Sequence, residues 1–104
     1  MPSDKGYFAF IKEQLGGVEN FSWRAMMGEY ILYYRGMVVG GIYDDRFLVK
    51  ATKSASAMMP DAMLERPYDR AKEMLLVTNV DEPAFLGRLL LAVYGDLSFQ
   101  KKKR

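Results

Sequence analysis

Residues 21–51 read FSWRAMMGEYILYYRGMVVGGIYDDRFLVKA, and the fold turns on how that stretch is parsed. Phe21 to Met26 places aromatics at alternate positions. Glu29 to Arg35 sets Tyr30, Leu32 and Tyr34 on one face and Ile31 and Tyr33 on the other, the period of two that belongs to extended chain. Between these runs lie the dipeptides Met27-Gly28, Arg35-Gly36 and Asp44-Asp45. Two-residue connections of this kind close tight hairpins, with glycine at Gly36 where a positive φ is required. The stretch therefore predicts four strands, completed by Met37–Tyr43 and Arg46–Ala51. Turns this short force neighbouring strands to run antiparallel.

Gly40-Gly41 interrupts the third predicted strand. Glycine there gives up side-chain packing, so it marks a bulge, a bend or a close approach of other atoms. A bulky group of the same chain lying over the pair is a simpler account than a ligand.

Outside the meander the period changes from two to between three and four. Ser3 suits an N-cap and Asp4 the first turn of a helix, in which Tyr7, Phe10, Ile11, Leu15 and Val18 form an apolar face up to Gly16-Gly17. Thr52 caps a short helix through Met59, which Pro60 ends. Residues 60–72 read as an irregular excursion and Glu73–Val77 as a fifth strand. Asp81 opens a last helix with the stripe Phe85, Leu86, Leu89, Leu90 and Val93, stopped at Gly95. Strands in succession between two helices predict an α+β two-layer sandwich: an antiparallel meander of four to five strands, flanked by N- and C-terminal helices. Residues 1–95 read as a single domain and 96–104 as a flexible basic tail.

Composition narrows the function. Among 104 residues there is no cysteine and no histidine. That removes the usual zinc ligands, thiolate nucleophiles and the common general base near neutral pH. The expectation is a protein that is not an enzyme and has no catalytic, metal or cofactor-binding residues. No apolar run reaches the ~20 residues that span a bilayer, and the opening lacks the organisation of a signal peptide, so a cytoplasmic protein without a membrane partner is expected. Of the formal charge of +2, Lys101, Lys102, Lys103 and Arg104 contribute +4, leaving residues 1–100 at −2. A nucleic-acid-binding domain more typically spreads its cations over one face. The tail nevertheless supplies a candidate for weak, sequence-independent contact with nucleic acid.

Two further clusters have a functional reading beside a plain one. Met26-Met27-Gly28-Glu29 sets flexible thioethers beside a carboxylate, suited to an adaptable binding surface, although one Met in the core and a Glu29–Arg24 pair across the hairpin explain it as simply. Asp44-Asp45 resembles a metal or acid–base pair, but Asp is favoured in such turns for local hydrogen bonding. The many rings of the meander suggest a base-stacking platform, yet the aromatic-basic signature and element order of the RNA-recognition fold are missing.

The run from Arg24 to Lys50, opening Arg-x-Met-Met-Gly at Arg24, Met26, Met27 and Gly28, with the turn at Gly36 and the Asp45–Lys50 strand after it, resembles the N-terminal domain of TfoX-type regulators of bacterial competence. The similarity extends more weakly from Tyr7 to Tyr94. The resemblance implies an α+β sandwich and a non-enzymatic role near transcriptional control of DNA uptake. Full-length members carry a second, helical domain that residues 1–104 do not include, and the family pattern supplies no catalytic positions. The expected function is thus a regulatory, protein-binding module, for which a homodimer is one arrangement. Its candidate interaction surface is Arg24, Met26, Met27, Gly28, Glu29, Tyr30 and Lys50. A nucleic-acid accessory protein, and a small-molecule binder or enzyme using Glu29, Lys50 or Asp44-Asp45, are the alternatives.

Overall fold

A computed structural model of the chain describes residues 5–102. Its elements run α1 (Lys5–Gln14), β1 (Phe21–Met26), β2 (Glu29–Tyr34), β3 (Met37–Tyr43), β4 (Arg46–Lys50), α2 (Lys53–Met58), β5 (Leu64–Glu65), β6 (Met74–Leu76) and α3 (Pro83–Lys102). The strands form one six-stranded sheet in the order β1-β2-β3-β4-β6-β5, with every neighbouring pair antiparallel. The α+β sandwich with helices at both ends is as the sequence predicts. The extra strand is β5, two residues long, inside the stretch read as irregular.

All three hairpins use two-residue turns with positive φ at both central positions: 52° and 85° at Met27-Gly28, 53° and 79° at Arg35-Gly36, 52° and 58° at Asp44-Asp45. That is the pattern of the turns whose twist matches the flanking strands. Each carries a non-glycine residue in a region that costs free energy, so cross-strand pairing must hold the turns in place.

Gly40 and Gly41 have separate explanations. The register slips between Leu32 and Tyr33, pairing Leu32 with Gly40 and Tyr33 with Val38, so Val39 is the extra residue of a β-bulge. A Cβ on Gly40 would collide with the Leu48 carbonyl oxygen and lie 3.0 Å from the Val49 Cα, so only glycine lets β4 approach this closely. A Cβ on Gly41 would lie 2.6 Å from the Tyr43 ring, which packs over it.

The register sets Tyr30, Leu32, Ile42, Phe47, Val49 and Leu75 on one face. There they join Phe8 and Ile11 of α1, Leu15 just past its end, and Leu86, Leu89, Leu90 and Val93 of α3 in one core. Burying each large aliphatic side chain contributes about 1.5–3 kcal/mol. The other face carries Leu48, which is fully buried yet outside that core. Arg46 anchors the cover on this side, donating to Glu65 Oε1 at 2.8 Å and to the carbonyls of Arg66 (3.1 Å) and Pro67 (3.4 Å), while the Tyr68 ring meets that of Tyr43 at 6.3 Å.

Three helix details differ from the sequence reading. In α1 the buried residues are Phe8 and Ile11, followed by Leu15 just past its end, while Phe10 is exposed. Periodicity admits either ring, and the sheet decides: Phe8 lies where Trp23 and Tyr30 can enclose it. The last helix begins at Pro83, a favoured first helical residue. It does not stop at Gly95 but runs to Lys102. Leu97 packs against the core beyond the glycine, and Asp96 accepts hydrogen bonds from the Ser54 backbone N–H (2.7 Å) and hydroxyl (2.8 Å) at the start of α2. Those contacts outweigh the ~1 kcal/mol that a mid-helix glycine costs. Residues 96–102, read as tail, therefore belong to α3. Ser3, Asp4, Lys103 and Arg104 lie outside the described residues.

Candidate interaction surface

β1 forms an edge of the sheet, and among the described residues no strand lies beyond it. Five of its six residues are exposed, Trp23 and Met26 among them. The edge at the other end, β5, is only two residues long. β1 contains no proline and no bulge, two of the common devices that protect an edge from pairing with another chain, and Arg24 is its one charged residue.

At the end of β1 the turn projects Met27 into solvent at 96% exposure. Gly28 supplies the second left-handed residue of that turn. Glu29 is not set opposite Arg24: the ladder places Arg24 against Ile31 and Glu29 against Met26. The Glu29 carboxylate instead accepts the Asp44 backbone N–H at 2.9 Å, tying the first hairpin tip to the third. Asp44-Asp45 thus serves as a turn whose amide is capped. Among the described residues no group of three His, Cys, Asp or Glu could hold a metal ion.

The structure divides the candidate residues. Arg24, Met26 and Glu29 lie on the sheet face away from the helices, with Met27 and Gly28 at the adjoining tip. Tyr30 faces the helices: its ring stacks on Phe8 with centroids 3.7 Å apart and 4° between planes, and meets Trp23 edge-on at 6.2 Å. Tyr30 is therefore a support for Trp23 rather than part of an exposed patch. The Lys12 ammonium sits 5.0 Å over the Trp23 ring and 5.3 Å from Phe8, completing a pocket that holds the indole at the edge.

Lys50 is remote from this tip. It lies on β4, three strand spacings from β1, which is about 14 Å. Half-buried, it separates two open depressions, one of about 720 Å³ lined by Arg35, Met37, Tyr94 and Ser98, the other of about 600 Å³ lined by Tyr43, Tyr68, Lys72 and Met74. Among the described residues no carboxylate pairs with Lys50. Burial raises the Tyr43 hydroxyl pKa above its usual value, with Tyr68 and Glu29 adding to the effect. Burial likewise raises that of Tyr7, which a hydrogen bond with the Phe47 backbone partly offsets. Neither tyrosine is poised to lose a proton near neutral pH. Lys101 and Lys102 fall in the last turn of α3.

Sequence reading singled out the hairpin tip with Arg24 and Met26 of β1, but left Trp23 off the candidate surface. The signal was present in the aromatic alternation of Phe21 and Trp23. That β1 would be an edge rather than a central strand depends on where β6 inserts, and periodicity carries no such information.

Over 84 residues the chain is 33% identical to an uncharacterized 12.7 kDa protein in the trpE 5′ region of Spirochaeta aurantia, a match covering 81% of this chain and 73% of the other. The two belong to one family. No family model matches the chain, and no solved structure does. The relative is described by size and by its position beside trpE, and its name states no activity. Among the described residues no helix is long and apolar enough to cross a membrane.

Proposed function

We propose that this chain is a non-enzymatic, cytoplasmic protein-binding module of regulatory type, related to the N-terminal domain of TfoX-type competence regulators. The observation that carries the reading is the edge strand β1, which no other strand covers among the described residues, presenting Trp23 and Met26 beside the solvent-projecting Met27. Large apolar side chains next to unsatisfied backbone groups lose little by remaining ordered and gain both burial and hydrogen bonds when a chain docks. The Arg24–Lys50 motif supports the TfoX kinship, since the α+β sandwich it implies is the architecture of this chain.

Affinity capture from the source cell tests the reading, comparing the intact chain with a variant carrying Met26→Ser and Met27→Ser. The expected result is a partner retained by the intact chain and lost by a variant whose circular dichroism is unchanged. Equal recovery by both, or no partner and no self-association, would remove this surface from consideration.

A second reading rests on Lys50. A half-buried cation without a carboxylate partner among the described residues, which lines one depression with Arg35 and the other with Lys72 and Glu73, suits a small anionic ligand. Thermal shift with inorganic phosphate tests it. A rise in midpoint abolished by Lys50→Met supports the reading, and no shift at any concentration ends it.

A further inference from the structure

We infer that the occupant of β1 is a second copy of this chain, paired antiparallel about a twofold axis at Trp23 and normal to the sheet. The inference rests on the protein-binding reading above and names its partner. It starts from hydrogen-bond parity. Asn20 accepts from the Arg35 N–H at 2.9 Å, and the pairs Ser22–Tyr33, Arg24–Ile31 and Met26–Glu29 follow at steps of two along the same ladder. Antiparallel ladders alternate, so the N–H and C=O of Ser22, Arg24 and Met26 point inward to β2, and those of Phe21, Trp23 and Ala25 point outward. The outward groups fill the strand symmetrically about Trp23.

An edge pairing with itself must also keep each side chain on its own face, which restricts the axis to a single residue of the strand. Centred on Trp23, the pairing sets Phe21 against the partner's Ala25, Trp23 against the partner's Trp23 and Arg24 against the partner's Ser22. All three outward residues then exchange both bonds, and no like charges of β1 stand directly opposite each other. Centred on Arg24, the pairing brings two guanidinium-bearing residues directly opposite at the closer type of position, with Cα atoms about 4.5 Å apart, which is destabilising. Centred on Ser22, it sets Ala25 against the partner's Glu19, beyond the end of the strand. Self-complementarity therefore selects the Trp23 register. The product is a continuous twelve-stranded sheet, twice the six of one copy, with the helices of both copies on the same side.

Three measurements on the full chain test this. Sedimentation should show a concentration-dependent dimer. Ala25→Pro removes an outward donor, counted twice in the dimer, while sparing the β1–β2 ladder, and should weaken dimerisation at least roughly thirtyfold without loss of the monomer fold. Trp23→Lys, which opposes two cations at the axis, should do the same if the proline variant folds poorly. Because the chain has no cysteine, Trp23→Cys carries the only thiol. At a hydrogen-bonded pair its Cα lies about 5.5 Å from its mate, so oxidation should give a disulfide dimer, whereas Ala25→Cys, offset by four residues or about 13 Å, should not. A dimer indifferent to Ala25→Pro and Trp23→Lys, or one cross-linked through position 25 but not 23, overturns the inference. A chain that is monomeric at every concentration overturns it too. If that monomer still captures another protein through β1, self-pairing falls and the protein-binding reading stands; if it captures nothing, both fall.

Discussion

Replacing one glycine by alanine should raise the stability of this protein at position 95 and lower it at position 40. Gly95 lies inside α3, its φ is outside the left-handed region, and a Cβ there meets nothing within 4 Å. Alanine restricts the unfolded chain and is a better helix former, so Gly95→Ala should stabilise by up to about 1 kcal/mol. Gly40→Ala gains a similar restriction of the unfolded chain but places a methyl group against the Leu48 carbonyl and 3.0 Å from the Val49 Cα. Both are backbone atoms of a paired strand, so relief requires β4 to shift away from β3. Overpacking of this kind costs about 1–3 kcal/mol or more, leaving a net loss of roughly 1–2 kcal/mol after the unfolded-state gain. For a domain of this size each kcal/mol moves the thermal midpoint by about 4–8 °C. Thermal and urea unfolding of the two variants should therefore bracket the parent chain from opposite sides. A Gly95→Ala variant less stable than the parent would mean that Gly95 adopts a left-handed conformation and ends α3, instead of lying within it. A neutral Gly40→Ala would refute the close β3–β4 approach.

Further outcomes follow from other contacts. Arg46→Met should free the 65–67 segment held by three of its hydrogen bonds, costing about 1–2 kcal/mol and speeding tryptic cleavage after Arg70; unchanged proteolysis would show that the segment is held otherwise. The Asp96 pKa is held below its usual value chiefly by the Ser54 backbone hydrogen bond. A depressed carboxyl pKa means that the unfolded chain takes up its proton first as pH falls, so the contribution of Asp96 is whole above about pH 4 and lost as pH drops through its folded value. Asp96→Asn should accordingly be less stable than the parent at neutral pH, with the gap closing in acid; a gap that is constant with pH would sink that linkage. Lys50→Met should leave stability unchanged or raise it, because the ammonium is half-buried without a carboxylate partner among the described residues. A drop of more than about 1 kcal/mol in urea unfolding would reveal a hydrogen bond that the geometry does not provide.

Local pattern was enough for everything that depends on a residue and its near neighbours. Alternation in Glu29–Tyr34, the dipeptides Met27-Gly28, Arg35-Gly36 and Asp44-Asp45, and Thr52 ahead of α2 are each readable over a few residues. Each stands in the structure as predicted, down to the Thr52 hydroxyl accepting from the Ala55 N–H at 3.3 Å. Backbone sterics and side-chain period act over that range, so a single chain carries the information in plain view. Other features required groups brought together from far along the chain. Phe8 displaced Phe10 from the core because Trp23 and Tyr30 surround it; α3 passed through Gly95 because Asp96 reaches Ser54; Glu29 turned to the Asp44 amide rather than to Arg24. The exposure of β1 belongs to this second class, since a strand becomes an edge only when every other strand has found its place. Period and propensity are properties of a segment, whereas an unsatisfied edge is a property of the whole sheet, and only the closed tertiary structure assigns it.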